Sequence, residues 1–197
     1  SANVRTMQMK TRVADISFIL DQLDKIQSGK IESQINAKID LERIAVGGHS
    51  YGGSTATVVS QQDDRIKACF VLDSWISPIP QETIDDGVHI PFLFMGRPTW
   101  EGSDYPGNYP KLDSLMAHSS NPKYRLILKG TKHLDYSDIP LFSPIIGYVL
   151  DVGSNPADLT VSLINRLVHG FLVKHLLGES NNIFDNAIDN DLVYQIQ

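Results

Sequence analysis

Arg43-Ile-Ala-Val-Gly-Gly-His-Ser-Tyr-Gly-Gly53 is the stretch from which the rest of the chain can be read. A short apolar run, Arg43 to Val46, ends in two glycines, and the small and β-branched residues Ser54 to Ser60 follow the second glycine pair. That order is strand, sharp turn, helix. Inside it Gly48-His-Ser50-Tyr-Gly52 fits G-x-S-x-G, a turn whose strained serine backbone lifts the hydroxyl off the carboxyl end of a strand. The glycines two before and two after the serine keep neighbouring Cβ atoms out of the way. The helix that begins beyond it brings its N-terminal dipole and free N–H groups, that of Tyr51 among them, close to any oxyanion forming at Ser50. A phosphate-cradling loop would need a terminal Gly-Lys-Ser/Thr or G-x-G-x-x-G spacing, and the stretch has neither.

Working outward, four apolar runs read as strands: Arg43 to Val46, Ile66 to Leu72, Phe92 to Met95 and Tyr124 to Leu128. The last three are continuous rather than alternating, as suits strands covered on both faces in a parallel sheet. Between and around them lie helical patterns. Met9 to Gln27 repeats Val13, Ile16, Ile19, Leu20, Leu23 and Ile26 at three- and four-residue intervals. Lys111 to Ser119 is a connecting helix, and Leu159 to Leu177 puts Leu163, Ile164, Leu167, Val168, Phe171 and Leu172 on one stripe. Strands alternating with helices specify an α/β fold with a mostly parallel sheet flanked by helices. The 197 residues suit a single domain, 1–197. The Pro-, Gly- and aromatic-rich segment Arg97 to Pro110 is the main irregular insert.

Composition narrows the function classes. With 42% hydrophobic and 20% charged residues the chain is globular, and no apolar run approaches the roughly 18 residues of a membrane span. The formal charge is −6, of which Asp185, Asp189 and Asp191 in the Asn/Asp-rich tail supply −3. Nucleic-acid binding therefore has no basic footprint. That tail reads as a solvated extension. Cys69, the single cysteine, has no internal disulfide partner, and no Cys or His spacing matches a zinc site. No metal or cofactor is implied.

A serine hydroxyl attacks only when a histidine takes its proton and a carboxylate orients that histidine. Of six histidines, His118, His169 and His175 fall on helices, His89 precedes a strand, and His49 adjoins the serine in the turn. His133 follows the Tyr124 to Leu128 strand through Lys129-Gly-Thr-Lys132, at the end of the sheet where sites of this architecture lie. For the acid, Asp73 closes the Ile66 to Leu72 strand, whereas Asp104 and Glu101 hang on the insert. Catalytic geometry tolerates about half an ångström of error, which favours the rigid strand end. The aromatic and apolar residues Trp75, Ile76, Trp100, Tyr105 and Tyr109 are positioned to line an acyl pocket.

Several motifs together resemble the plasma-type platelet-activating-factor acetylhydrolase family of the α/β-hydrolase superfamily. They are Gly48-His-Ser-Tyr-Gly-Gly53, Leu72-Asp-Ser-Trp-Ile-Ser-Pro78, Pro91-Phe-Leu-Phe94, Lys129-Gly-Thr-Lys-His133, Ile145-Ile-Gly-Tyr-Val-Leu150 and Phe171-Leu-Val-Lys-His-Leu176. The resemblance implies Ser50 as nucleophile, Asp73 as acid and His133 as base, and so decides between Asp73 and Asp104. It also implies calcium-independent hydrolysis of a small-molecule or lipid ester, with short or oxidised sn-2 acyl groups of phospholipids as the type substrate. Related readings keep the three residues but change the substrate: a dienelactone-hydrolase-like or polyester esterase, or an acyl-peptide hydrolase. A different class, a non-catalytic interaction module on the same fold, is disfavoured by an intact serine, aspartate and histidine in the right order. One departure stands out. Such folds carry several strands ahead of the serine turn, and the loop after the third supplies a second oxyanion N–H. Here a single helix precedes the Arg43 strand, so the chain reads as a carboxyl-terminal portion lacking roughly a hundred residues. Loss of one oxyanion donor typically costs about 10² to 10³ in rate.

Overall fold

In the computed structural model, residues 2–35, 39–100, 107–120, 122–143, 145–179 and 193–195 are described. Helix α1 (Ala2–Gln27) is followed by β1 (Ile44–His49), α2 (Tyr51–Gln62), β2 (Ile66–Leu72), α3 (Gln81–Asp86), β3 (Phe92–Gly96), α4 (Asn108–His118) and β4 (Lys123–Leu128). Three short 3₁₀ turns, His133–Tyr136, Ile139–Leu141 and Ile146–Tyr148, lead into α5 (Ala157–Leu176), and β5 (Val193–Gln195) comes last. The sheet order is β1-β2-β3-β4-β5, with the first four strands parallel and β5 antiparallel on β4.

Each parallel strand lies beside its predecessor, always in the same direction. Right-handed crossovers taken in one direction place their helices on a single face. The core divides accordingly. On one face Cys69, Val71, Phe92, Phe94 and Ile127 pack under residues of α1 to α4, including Val13, Val59, Ile84 and Leu112. On the other, Ala68, Leu93, Met95, Leu126 and Leu128 meet Ile164, Leu167 and Phe171 of α5. Alternation along the strands thus feeds two cores, which is why the runs read as continuously apolar.

The strand and helix readings hold, with shifts that have physical causes. β1 continues through both glycines to His49 because its partner β2 keeps pairing as far as Leu72. Helix α1 starts seven residues earlier than its apolar repeat suggests. Its buried stripe is narrower than expected: Met9, Val13 and Leu20 are buried and Ile16 and Leu23 partly so, while Ile19 is 54% exposed. That 4-3-4-3 spacing fits a helix packed chiefly on one neighbour, α2. Two elements carried no sequence signal. Helix α3 has only six residues. Strand β5 lies in the stretch expected to be solvated, yet residues 193–195 pair with Leu126 to Leu128. The remainder of that tail, with Asp185, Asp189 and Asp191, lies outside the described residues. Among the described residues no helix is long and apolar enough to cross a membrane.

Helix α1 is fixed at its carboxyl-terminal half by Arg65, which stands at the start of β2. Its guanidinium donates to Asp21 at 2.8 Å and Asp24 at 3.0 Å, and grips Asp63 in a fork, Nε to Oδ1 at 2.8 Å and Nη2 to Oδ2 at 2.6 Å. Asp63 is only 9% exposed, and the Arg65 hydrogen bonds pull its carboxyl pKa from 3.8 down to about 2. A depressed folded pKa adds stability that is complete above the unfolded value and disappears as pH falls through the folded one. Asp63→Asn is therefore expected to lower the unfolding free energy at neutral pH by about 2 kcal/mol. It should also flatten the loss of stability between pH 3.8 and about 2. Urea melts across a pH series measure both, and an acid limb identical to that of the parent would refute the assignment.

Candidate active site

The chain leaves β1 at His49 and turns at Ser50 with φ 56° and ψ −123°, a conformation that non-glycine residues avoid. Local hydrogen bonds hold it there. Ser50 N–H donates to the Leu72 carbonyl at 3.0 Å, and the Ser50 carbonyl accepts from Gly53 N–H at 3.0 Å and Trp75 N–H at 3.1 Å. The turn also depends on two glycines. A Cβ on Gly48 would run into the backbone of Gly52, and one on Gly53 would lie 2.6 Å from Ser74 Oγ. The serine turn is thereby pressed against the turn that follows β2.

That second turn carries Asp73, also at positive φ (39°), with its N–H donating to the Met95 carbonyl at 2.6 Å. Its carboxylate is completely buried. The third group, His133, opens the 3₁₀ turn after β4. Its imidazole spans the other two side chains, with Nδ1 2.6 Å from Asp73 Oδ2 and Nε2 2.9 Å from Ser50 Oγ. An ionised carboxylate only accepts, so Nδ1 carries the proton and Nε2 is left to accept from the serine hydroxyl. Ser50, Asp73 and His133, up to 83 residues apart in sequence, are thus joined in one hydrogen-bonded chain at the carboxyl ends of the strands. The backbone N–H of Tyr51, first residue of α2, belongs to the helix terminus with no intrahelical acceptor.

Several supporting residues escaped the sequence reading. His49, passed over there as adjoining the serine in the turn, lies against His133 with ring centroids 4.5 Å apart, and its Nε2–H donates to the His133 carbonyl at 3.0 Å. Burial, then the neighbouring His133, lower its proton affinity below the usual histidine value, so it is neutral. Asp135, 4% exposed, accepts from the N–H groups of Lys132 at 2.7 Å and Gly153 at 2.6 Å, closing the turn that bears His133. Burial raises its carboxyl pKa. Asn108, wholly buried at the start of α4, accepts from Ile76 N–H at 2.6 Å and donates to the Ser74 carbonyl at 3.0 Å. It holds the turn after Asp73 from below. Arg97 donates its N–H to Asp73 Oδ1 at 3.2 Å. The one sequence signal available for any of these was the position of His49 within G-x-S-x-G.

The proposed pocket residues divide. Trp100 is buried and packs edge-to-face with His133, centroids 5.6 Å apart. Trp75 is half-buried, its ring 5.9 Å from Tyr51 and under the guanidinium of Arg5 at 5.0 Å. Ile76 has no exposed surface and packs in the core cluster with residues of α3 and α4, its N–H held by Asn108. Tyr109 sits under Arg97, its hydroxyl donating to the Arg97 carbonyl and its ring edge-on to Phe94 at 6.0 Å. Tyr105, Asp104 and Glu101 lie outside the described residues. Among the described residues no three His, Cys, Asp or Glu side chains gather to hold a metal ion.

The family model described as platelet-activating factor acetylhydrolase, isoform II, matches residues 1–192. This chain belongs to that family. Platelet-activating factor acetylhydrolase of Gallus gallus is 27% identical over 199 residues, covering 94% of this chain and 46% of the relative. That of Bos taurus is 26% identical over 201 residues, covering 95% and 44%. The chain thus spans less than half the length of each of these relatives. A ferulic acid esterase from Streptomyces cinnamoneus superposes with a TM-score of 0.77 at 21% identity, covering 98% of this chain and 56% of the esterase, and shares the α/β-hydrolase fold.

Asn108→Ala removes two hydrogen bonds and leaves a buried N–H and a buried C=O unpaired. The expected cost is about 3 kcal/mol of stability. Thermal unfolding of the variant measures it, and a loss below about 0.5 kcal/mol would mean the turn holds without Asn108.

Proposed function

We propose that this protein is a serine hydrolase that cleaves carboxylic esters through an acyl-enzyme on Ser50. The single observation that carries the reading is the His133 imidazole bonded to a serine hydroxyl through one nitrogen and to a buried carboxylate through the other. A serine hydroxyl alone is a weak nucleophile, and this arrangement supplies both a proton acceptor and a fixed counter-charge. His133 Nε2 takes the Ser50 proton as Oγ attacks the ester carbonyl. The carbonyl oxygen, now an alkoxide, is held by the Tyr51 N–H at the positive end of α2. His133 then passes the proton to the departing alcohol, and water repeats the sequence on the acyl-enzyme. Asp73 stays ionised throughout, keeping Nδ1 protonated and balancing the imidazolium. Trp100 and Trp75 flank the reacting carbonyl on its acyl side.

Membership of the platelet-activating factor acetylhydrolase family supports a short acyl group, acetyl or of similar size, on a phospholipid-like ester as substrate. It favours that reading over an acyl-peptide hydrolase or a polyester esterase. The test combines a probe with a substrate panel. A fluorophosphonate should label the protein at Ser50 and fail to label Ser50→Ala. His133→Ala should slow labelling by about 10³-fold or more. On p-nitrophenyl esters of graded length, acetyl and propionyl should be cleaved in preference to octanoyl, and peptide anilides left intact. Undiminished labelling of Ser50→Ala would discard the nucleophile assignment, and a preference for anilides would discard the substrate class.

A further inference from the structure

Asp73 is shared between two partners. Its Oδ2 accepts from His133 Nδ1 at 2.6 Å and stands 3.2 Å from Arg97 Nε, while Oδ1 accepts the Arg97 backbone N–H. The Nε contact is a charge contact rather than an aligned hydrogen bond. The Arg97 side chain is 15% exposed, so water screens this contact little. The guanidinium also lies over Trp100, 4.0 Å from the ring centroid, and Trp100 makes an edge-to-face contact with His133. Arg97 follows β3 directly, and its carbonyl is held by the Tyr109 hydroxyl of α4. A permanent cation is therefore fixed against the carboxylate that His133 uses, with its stacking partner against His133 itself.

We propose that Arg97 is a positioning residue of this site, sharing the Asp73 carboxylate with His133 and holding Trp100 against the imidazole, and that this sharing sets the pH at which His133 becomes an active base. The inference rests on the reading of His133 as the base. A cation drawing on the same carboxylate oxygen weakens the field that favours imidazolium, so removing it favours the protonated ring. The other charges facing His133 do not supply this effect. His49 from β1 is neutral, held below the usual histidine value by burial and by His133. Lys132, on the histidine's own turn, is paired with Asp151. Asp135 is spent on two backbone N–H groups, and Tyr136 keeps its proton, its hydroxyl on Thr131 and its pKa well above the usual value by burial. Ser50 carries no charge. Among the described residues facing the site, Arg97 is the cation whose ion pair is with Asp73.

The test compares the protein with Arg97→Gln, Arg97→Met and Arg97→Lys. The His133 Cε1–H resonance is followed by NMR through a pH titration, and the rate of fluorophosphonate labelling at Ser50 is followed over the same range. The neutral Gln and Met variants are expected to raise the His133 pKa by about one unit and to move the acid limb of labelling upward by the same amount. Met preserves an apolar stem against Trp100, so either neutral variant suffices if the other does not fold. Lys keeps the charge and is expected to titrate within about 0.3 units of the parent, while labelling slows because the planar stack on Trp100 is lost. A parent-like titration in the neutral variants overturns the proposal, as does a Lys variant that shifts as far as they do. The NMR titration reads His133 whether or not the protein hydrolyses esters. Failure of the shift with labelling intact therefore rejects Arg97 alone, and absence of labelling in the parent rejects the hydrolase reading instead.

Discussion

Ser50 occupies backbone angles that cost a non-glycine residue on the order of 1–3 kcal/mol, and the site exists because the neighbouring structure holds it there. The restraint comes from two directions. Its N–H is committed to the end of β2, and its carbonyl accepts N–H groups from α2 and from the turn after Asp73. The two turns are thus knitted together before any side chain is considered. Gly53 allows them to touch, and Ser74 fills the space that a Cβ there would take. The distance between Ser50 and Asp73 is consequently set by main-chain hydrogen bonds at the ends of adjacent parallel strands. Only the histidine has to be delivered from farther off, across β3 from the end of β4.

That delivery explains why so many buried polar groups surround His133. A loop histidine would wander by far more than the fraction of an ångström that proton transfer tolerates. Here its carbonyl is gripped by His49, its turn is closed by Asp135 and Thr131, and its ring is flanked by Trp100. One residue after each of the four parallel strands then contributes: Ser50 after β1, Asp73 after β2, Arg97 after β3 and, through a short loop, His133 after β4. The sequential strand order is what sets these four in a row.

Much of this was legible in the chain itself. The four parallel strands follow from apolar runs bounded by turn residues, and the serine turn from glycines whose spacing has a steric reason. Strand ends favoured His133 and Asp73, and the family resemblance decided between Asp73 and Asp104. What escaped notice was of another kind. His49, Arg97, Asn108 and Asp135 act through one or two hydrogen bonds to segments far away in sequence, and no periodicity encodes such a pairing. Nor does composition separate an apolar residue beside a site from one under it, as at Ile76, which has no exposed surface. Strand β5 is three residues long, and its place beside β4 is a tertiary fact rather than a local one.

Among the described residues only Ser50 and Asp73 are non-glycine residues with positive φ. Both belong to the hydrogen-bonded chain, so the strain in this molecule is concentrated where the chemistry is placed. Glycine relieves such strain at little steric cost. A selection for heat tolerance that ignores turnover would therefore drift toward glycine at position 50, enriching sturdier proteins that lack the hydroxyl on which the proposed chemistry depends.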